Sequence, residues 1–245
     1  MKAMILAAGL GTRLRPLTDH LPKPLLPLEE RPLIEHTLLL LRKFGITEVV
    51  INLHYQGDKI MRALGDGSRW GMKLRYSEEP DILGTGGGIK KAERILCDGP
   101  FLVINSDILV EINLDQIIEF HHRNQAAATM VVREDPDVDR WGAVGVDSHH
   151  RIRQLLGKPD WTGEELSKKM FTGIHVMDPR VLNYVPDSGF FTIIDAYVEM
   201  LRKGERLFGR THAGYWIDIG TPERYRQAEE DLKRRRAAGA FLKEG

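Results

Sequence analysis

The sequence has little cysteine, no excess of either charge and no long apolar run. Cys97 is the only cysteine among 245 residues, so no intrachain disulfide can form. Lysine plus arginine and aspartate plus glutamate each number 35, which makes the formal net charge zero. A nucleic-acid-binding protein needs a basic excess to contact phosphates, and none is present. We therefore predict that the protein binds no nucleic acid and that Cys97 is a packing residue rather than a nucleophile.

Long hydrophobic segments are also missing. No stretch approaches the ~20 apolar residues of a membrane span. Residues 1–8 are apolar except for Lys2, but this run stops at Gly9 and meets arginines, too early for a secretory signal peptide. With 42% hydrophobic and 29% charged residues, the composition is that of a globular domain. We expect a soluble cytoplasmic protein without a membrane partner.

What the first half contains is an alternation of two periodicities. Short apolar runs predict strands at residues 2–7, 46–53, 72–77 and 101–105, and helical spacing predicts helices at 33–44, 56–64 and 86–96. This order predicts an α/β fold, a Rossmann-like, mostly parallel (mixed) sheet with helices on both faces. Ligands in such folds bind beyond the carboxyl ends of the strands.

The second half of the chain has a different order of predicted strands and helices. Short strands are predicted at residues 127–132, 143–146, 152–156 and 171–176, followed by helices at 179–184, 192–203 and 222–236. Residues 160–169 are polar and predict a loop or a short helix. We predict one domain over residues 1–245, made of halves 1–125 and 126–225 and a C-terminal helix and tail, 226–245.

A glycine loop follows the first predicted strand. Gly9 and Gly11 would let the backbone approach a phosphate or base, and Arg13 supplies a planar charge suited to phosphate oxygens. Leu14 stands where the dinucleotide fingerprint needs its third glycine, and the Gly-Lys-Ser/Thr of a P-loop is missing. A Gly-x-Gly pair alone is more often a turn than a site.

Two further segments suit phosphorylated ligands. Lys23 lies between Pro22 and Pro24, which fix its backbone and favour a phosphate-binding role over a merely solvated one. Residues 83–88 place four glycines between a strand and a helix. This segment predicts either close approach to a ligand at a helix N-terminus or a flexible turn, with equal weight.

Two aspartates follow apolar strands. Asp107 comes directly after the run at 101–105, and Asp218 follows Trp216-Ile217 and precedes a Thr221-Pro222 helix start. A carboxylate at the end of a buried strand is well placed to ligate Mg²⁺. Either aspartate alone would more often be a turn or cap residue.

Taken together, these segments resemble the nucleotidyltransferase family of NDP-sugar pyrophosphorylases over nearly the whole chain. Residues 6–25 are the most specific match, and residues 84–87, Asp107 and 218–221 follow in the family's order. The resemblance implies a fold of the nucleotide-diphospho-sugar transferase type. It also implies Mg²⁺-dependent transfer from a nucleoside triphosphate to a sugar 1-phosphate, with residues 1–125 binding nucleotide and 126–225 binding sugar phosphate. A homodimer is left open.

The resemblance also implies residue roles. Arg13, Lys23 and Lys158 would be catalytic through their charge, and Asp107 and Asp218 would share the Mg²⁺. Nucleotide contacts are expected from Leu6, Ala7, Ala8, Gly9, Gly11, Thr12, Leu83, Gly84, Thr85 and Gly87. Sugar contacts are expected from Asn105, Gly142, Lys158 and Gly173.

The sequence does not decide to which subgroup of this family the chain is most similar. The chain looks most like N-acetylmuramate-1-phosphate uridylyltransferases of cell-wall recycling and mannose- or heptose-1-phosphate guanylyltransferases. Gly157 stands where the family has a glutamate before the lysine that binds the sugar phosphate, so the identity of the sugar is not decided. The identity of the base is not decided either. Two rivals are a phosphocholine-type cytidylyltransferase, which lacks the Gly-Thr-Gly-Gly segment, and a non-catalytic regulatory homologue. The latter usually loses charged site residues, which this chain retains.

Overall fold

The strands of residues 1–237 form one large sheet and two small ribbons. The structure is a computed structural model that describes residues 1–237, so part of the predicted tail at 226–245 lies outside the described residues. Within the described chain the strands are β1 (Ala3–Leu6), β2 (Pro27–Leu28), β3 (Arg31–Pro32), β4 (Glu48–Leu53), β5 (Lys73–Glu78), β6 (Phe101–Asn105), β7 (Ile108–Val110), β8 (Ala128–Arg133), β9 (Ala143–Val146), β10 (Ile152–Leu155), β11 (Ser167–Met177), β12 (Leu207–Thr211) and β13 (Trp216–Asp218).

The helices cover both faces of this sheet. In the same part of the chain the α-helices are α1 (Leu33–Lys43), α2 (Gly57–Leu64), α3 (Gly84–Lys91), α4 (Glu93–Leu96), α5 (Leu114–Arg123), α6 (Val138–Trp141), α7 (Ile193–Arg202) and α8 (Pro222–Ala237). Short 3₁₀ helices lie at Thr12–Leu14, Lys23–Leu25, Ser68–Trp70 and Pro179–Tyr184.

The amino-terminal strands form the parallel part of the sheet. Their order is β5-β4-β1-β6, and each neighbouring pair is parallel. In β1, Ala3 and Ile5 pack into the core that contains Leu38 of α1, while Met4 packs into the opposite core with Ile89 of α3. Burial on both faces explains why these strands are continuous apolar runs rather than alternating ones. The predicted mixed α/β sheet is confirmed.

Strand β11 joins the two halves into one sheet. One edge of β11 pairs antiparallel first with β9 and then with β6, and the other edge pairs with β8. The register shifts between Phe171 and His175, where Gly173 has a φ of +81°. A Cβ at Gly173 would lie 2.5 Å from Nδ2 of Asn105, so the close approach of that side chain requires a glycine.

The β7–β13 ribbon positions the two aspartates. It is antiparallel and sets Asp218 opposite Ile108, and the Ile219 N–H donates to the carbonyl of Asp107 at 2.7 Å. Two positions far apart in the sequence are thereby fixed side by side beyond the end of β6.

Several predicted elements were wrong. The helix expected at 86–96 begins at Gly84 and is divided at Ala92 into α3 and α4. Residues 160–169 are partly strand, because β11 already starts at Ser167. Cys97 is exposed rather than packed.

Several elements were missed, among them β7, α5 and β12. For α5 the signal was present in the sequence. Asn113 caps the helix by accepting a hydrogen bond from the Gln116 N–H at 3.2 Å, and Leu114, Ile117 and Phe120 are buried at helical spacing. None of the helices within residues 1–237 combines the length and apolar content that a membrane crossing requires.

Candidate active site

A cavity of about 460 Å³ opens at the carboxyl edge of β1 and β6. It lies where the parallel strands end, as the fold class predicts. The predicted site residues that line it are Leu6, Ala7, Ala8, Gly9, Gly11, Thr12, Arg13, Lys23, Gly84, Thr85, Asn105 and Asp107. The structure therefore brings three segments together that the sequence places up to about a hundred residues apart.

The glycine loop after β1 is held by its own contacts. Gly11 adopts a φ of +66°, and its carbonyl accepts a hydrogen bond from the Thr18 hydroxyl at 2.8 Å. The loop then enters the 3₁₀ helix Thr12–Leu14, whose Leu14 is buried. Because these contacts hold residues 11–18 together, Arg13 is presented at the cavity from a defined backbone.

Lys23 and Asp107 form the first charged pair of the site. Lys23 Nζ lies 2.5 Å from Asp107 Oδ2, with exposed side-chain fractions of 11% and 24%. Pro22 and the buried Pro24 flank the lysine and begin the 3₁₀ helix that presents it. The other oxygen of Asp107, Oδ1, is buried and has no hydrogen-bond partner.

Asp218 lies in the same cluster of charges. Its Oδ1 lies 3.4 Å from Nη1 of Arg224, whose guanidinium is 4.5 Å from the Trp141 ring. A Cβ at Gly220 would lie 2.5 Å from Asp218 Oδ1 and 3.3 Å from Nη2 of Arg13. A side chain at that position would have to displace the carboxylate, whose end occupies this space beside the guanidinium.

The electrostatics of the cluster favour an added cation. Burial raises the pKa of Asp218 above its ordinary value, and the neighbouring Asp107 raises it further, against the opposing effects of Lys23, Arg224 and Arg13. The buried Oδ1 of Asp107 has no hydrogen-bond partner, so a cation would stabilise this carboxylate as well. Asp107 and Asp218 are therefore the residues that could hold a divalent metal.

The 83–88 segment is closely packed against the chain itself. The N–H groups of Gly86 and Gly87 both donate to the Phe191 carbonyl, at 2.9 and 3.1 Å, and the Phe191 N–H donates to Leu83 at 2.8 Å. A Cβ at Gly84 would lie 2.7 Å from the Phe191 oxygen. Contact with residues 189–193 thus explains the glycines at 84, 86 and 87, a reason that the local sequence does not reveal.

Of the sugar-side predictions, Asn105 lines the cavity, whereas Gly142, Lys158 and Gly173 do not. Leu156 (φ +54°) and Gly157 (φ +75°) are the central residues of a tight turn in which Leu155 and Lys158 exchange two backbone hydrogen bonds. Such a turn favours glycine, which gives Gly157 a backbone role. Lys158 is exposed beside this turn, and a Cβ at Gly142 would overlap Leu156 Cδ2.

Within residues 1–237 the predicted residues outside the cavity lining are Leu83, Gly87, Gly142, Lys158, Gly173 and Asp218. Gly173 contacts Asn105, and Asp218 lies next to Gly220, both of which belong to the lining. The ligand contacts assigned to all of these residues stay predictions.

Among the lining residues that the sequence prediction missed are two buried polar ones, Asn52 and Glu79. Asn52 is the last residue but one of β4, and Glu79 directly follows β5; each is only 3% exposed. The same reasoning that singled out Asp107, a polar side chain at the carboxyl end of a buried strand, would have found both.

Comparison with known proteins agrees with this architecture. Residues 2–235 match the sequence model of the family described as nucleotidyl transferase, so the chain belongs to that family. A UTP–glucose-1-phosphate uridylyltransferase of Synechocystis is 33% identical, over 93% of this chain and 62% of its own length. A mannose-1-phosphate guanylyltransferase of Mycobacterium tuberculosis is 32% identical, over 95% of this chain and 64% of its own length. The chain thus spans less than two thirds of either relative.

Solved structures confirm the predicted fold type. A proposed glucose-1-phosphate thymidylyltransferase from Bacillus anthracis, solved with sucrose, superposes with a TM-score of 0.84 at 25% identity, covering 100% of this chain and 97% of that one. HddC from Yersinia pseudotuberculosis, complexed with GMP-PN, gives 0.77 at 25% identity, with 94% and 99% covered.

Proposed function

We propose that this chain transfers a nucleotidyl group from a nucleoside triphosphate to a sugar 1-phosphate and releases pyrophosphate. The observation that carries the proposal is the cluster of Arg13, Lys23, Asp107 and Asp218 at the edge of a nucleotide-sized cavity. Relatives named as sugar-1-phosphate uridylyl- and guanylyltransferases support it.

In this reaction the nucleotide occupies the space between the glycine loop and the 83–87 turn. The sugar phosphate attacks the α-phosphorus in line, and pyrophosphate leaves. The attacking oxygen is already anionic at neutral pH, so no protein nucleophile or general base is required. Arg13 and Lys23 bind the phosphate oxygens and offset the charge that develops on them.

The metal is Mg²⁺, held by Asp107 and Asp218. The fit rests on the unpartnered Oδ1 of Asp107 and on the raised pKa of Asp218 beside it. Mg²⁺ is commonly bound in proteins through one or two carboxylates, which Asp107 and Asp218 would supply. When bound, it supplies positive charge to the phosphates.

The sugar side is formed by Asn105, Gly142, Lys158 and Gly173, with Lys158 binding the sugar phosphate. The N-acetylmuramate subgroup would imply a cell-wall sugar as the substrate, and the other subgroup would imply mannose or heptose, so the choice of sugar stays open. A requirement for nucleoside triphosphates supports a cytoplasmic location. The homodimer stays a prediction.

A matrix of substrates tests the proposal. UTP, GTP, dTTP and CTP are each combined with 1-phosphates of glucose, mannose, N-acetylmuramate and heptose, and pyrophosphate release is measured with Mg²⁺ and again with EDTA. At least one pair should release pyrophosphate in a metal-dependent way. Release from no pair, with the protein folded and nucleotide bound, would instead establish a non-catalytic binding protein.

A further inference from the structure

Asn52 and Glu79 form a buried connection between the two loops that enclose the cavity. The Ala7 N–H in the glycine loop donates to Asn52 Oδ1 at 2.8 Å, and Asn52 Nδ2 donates to Glu79 Oε1 at 2.8 Å. The other oxygen, Glu79 Oε2, accepts from the Leu83 N–H at 3.0 Å. Four groups from four segments are thus linked in a single row.

The positions of donors and acceptors along this row determine which types of side chain can form it. Both ends, Ala7 and Leu83, are backbone donors. An amide side chain accepts a hydrogen bond through its oxygen and donates one through its nitrogen, whereas an ionised carboxylate accepts hydrogen bonds through both oxygens. With the carboxyl group ionised, a row with a donor at each end needs one amide and one carboxylate, and Asn52 with Glu79 is one of the two arrangements that satisfy it.

Helix α3 closes over this row. A Cβ at Gly88 would lie 2.6 Å from Glu79 Oε1 and 2.9 Å from Asn52 Nδ2, so the helix backbone packs directly against the bond between them. Asn52 and Glu79 are each 3% exposed. Water has little access to replace a lost partner, so an unpaired donor here stays unpaired.

We propose that Asn52 and Glu79 act together as a positioning pair that sets the glycine loop and the 83–88 turn at a fixed separation. That both loops contact nucleotide rests on the proposed function; the pairing itself rests only on the hydrogen bonds. The pair acts through Ala7 and Leu83 and takes no part in the chemistry.

An exchange of the two side-chain types tests this directly. Asn52→Asp alone sets two carboxylates against each other, and Glu79→Gln alone leaves two donors facing. The double variant N52D/E79Q restores the row. Its new carboxylate would accept from the Ala7 N–H and from the new amide, whose own oxygen would accept from the Leu83 N–H. Amide hydrogen exchange at Ala7 and Leu83 is measured in all four proteins, together with calorimetric binding of UTP and GTP in the presence of Mg²⁺.

Each single variant should speed exchange at one or both amides and weaken binding of the preferred nucleotide about tenfold, equivalent to about 1.4 kcal/mol. The double variant should recover slow exchange and return affinity to within about threefold of wild type. Asn113→Asp, which keeps its helix cap, and the exposed Glu78→Gln serve as matched controls and should change neither readout.

The proposal fails if the double variant is no better than the worse single variant, or if Asn52→Asp leaves both amides protected at a pH where both carboxyl groups are ionised. Hydrogen exchange requires no turnover, so it decides the pairing even if the wild-type protein releases no pyrophosphate. If Glu79 only read the base directly, Glu79→Gln would change affinity and Asn52→Asp would not.

Discussion

Lys23 Nζ lies 2.5 Å from Asp107 Oδ2, while Oδ1 of the same carboxylate is buried without a partner. One side chain thus meets a protein cation on one oxygen and leaves the other available for a second cation. This arrangement links the residue proposed to bind phosphate to the residue proposed to bind the metal.

The first prediction concerns that lysine. Lys23→Met should lower the turnover number by roughly 10²–10³, the cost of losing one preorganised charged contact. It should leave the melting temperature within a few degrees, since the pair is not fully buried. Steady-state kinetics with the active substrate pair measures the effect. The exposed Lys203→Met is the control, and equal turnover in the two variants would contradict a role for Lys23.

The second prediction concerns packing of the 83–88 segment. Alanine normally stabilises a helix interior relative to glycine by about 1 kcal/mol. At Gly87, however, a Cβ would lie 2.8 Å from the Gly189 carbonyl and 3.0 Å from Leu83 Cβ. Gly87→Ala should therefore destabilise the protein, by about 1–3 kcal/mol, in urea unfolding. A gain in stability would mean that the contact with Gly189 is not close.

The third prediction concerns Gly157, which stands in a tight turn where the family has a glutamate. Gly157 has a φ of +75°, a conformation that costs a side-chain-bearing residue about 1–2 kcal/mol. Gly157→Glu should lower the melting temperature, and Gly157→Asn should lower it less, because asparagine tolerates this region. Equal melting temperatures for the two variants would argue against backbone conformation as the reason for glycine here.

The fourth prediction concerns acid stability. His175 is 1% exposed, its Nδ1 lies 2.5 Å from the Tyr197 hydroxyl oxygen, and burial lowers its pKa to about 3. The unfolded chain takes up this proton near the ordinary histidine pKa of about 6.5 while the folded chain does not, so stability is full above that pH. It then falls between pH 6.5 and 3, by up to about 1.4 kcal/mol per pH unit.

Urea unfolding at pH 7, 6 and 5 measures this slope. His175→Asn removes the titrating group and should flatten the dependence, although burial also lowers the pKa of His121 to about 4, which keeps part of the slope. The comparison is between slopes, so a lower stability of the variant at pH 7 does not affect it. Parallel slopes in variant and wild type would contradict a neutral buried His175.

The sequence predicted most of the parallel half and the residues around the cavity because these depend on local signals. Asp107 follows a continuous apolar strand, and Gly11 and Arg13 lie in a glycine loop directly after another. The contacts of Gly86 and Gly87 with Phe191 could not be predicted, since they join segments about a hundred residues apart. Burial of Asn52 and Glu79 also depends on a neighbouring helix rather than on local sequence.

The measurement that tests the central proposal most directly compares wild type with Asp107→Asn in the synthesis of NDP-sugar from the active substrate pair. The wild type should form product with Mg²⁺ and lose activity in EDTA, while the variant stays folded and forms almost none at any Mg²⁺ concentration. Asp218→Asn should behave in the same way. Wild-type rates in Asp107→Asn, or product formation that EDTA does not affect, would contradict the proposed metal site and the function built on it.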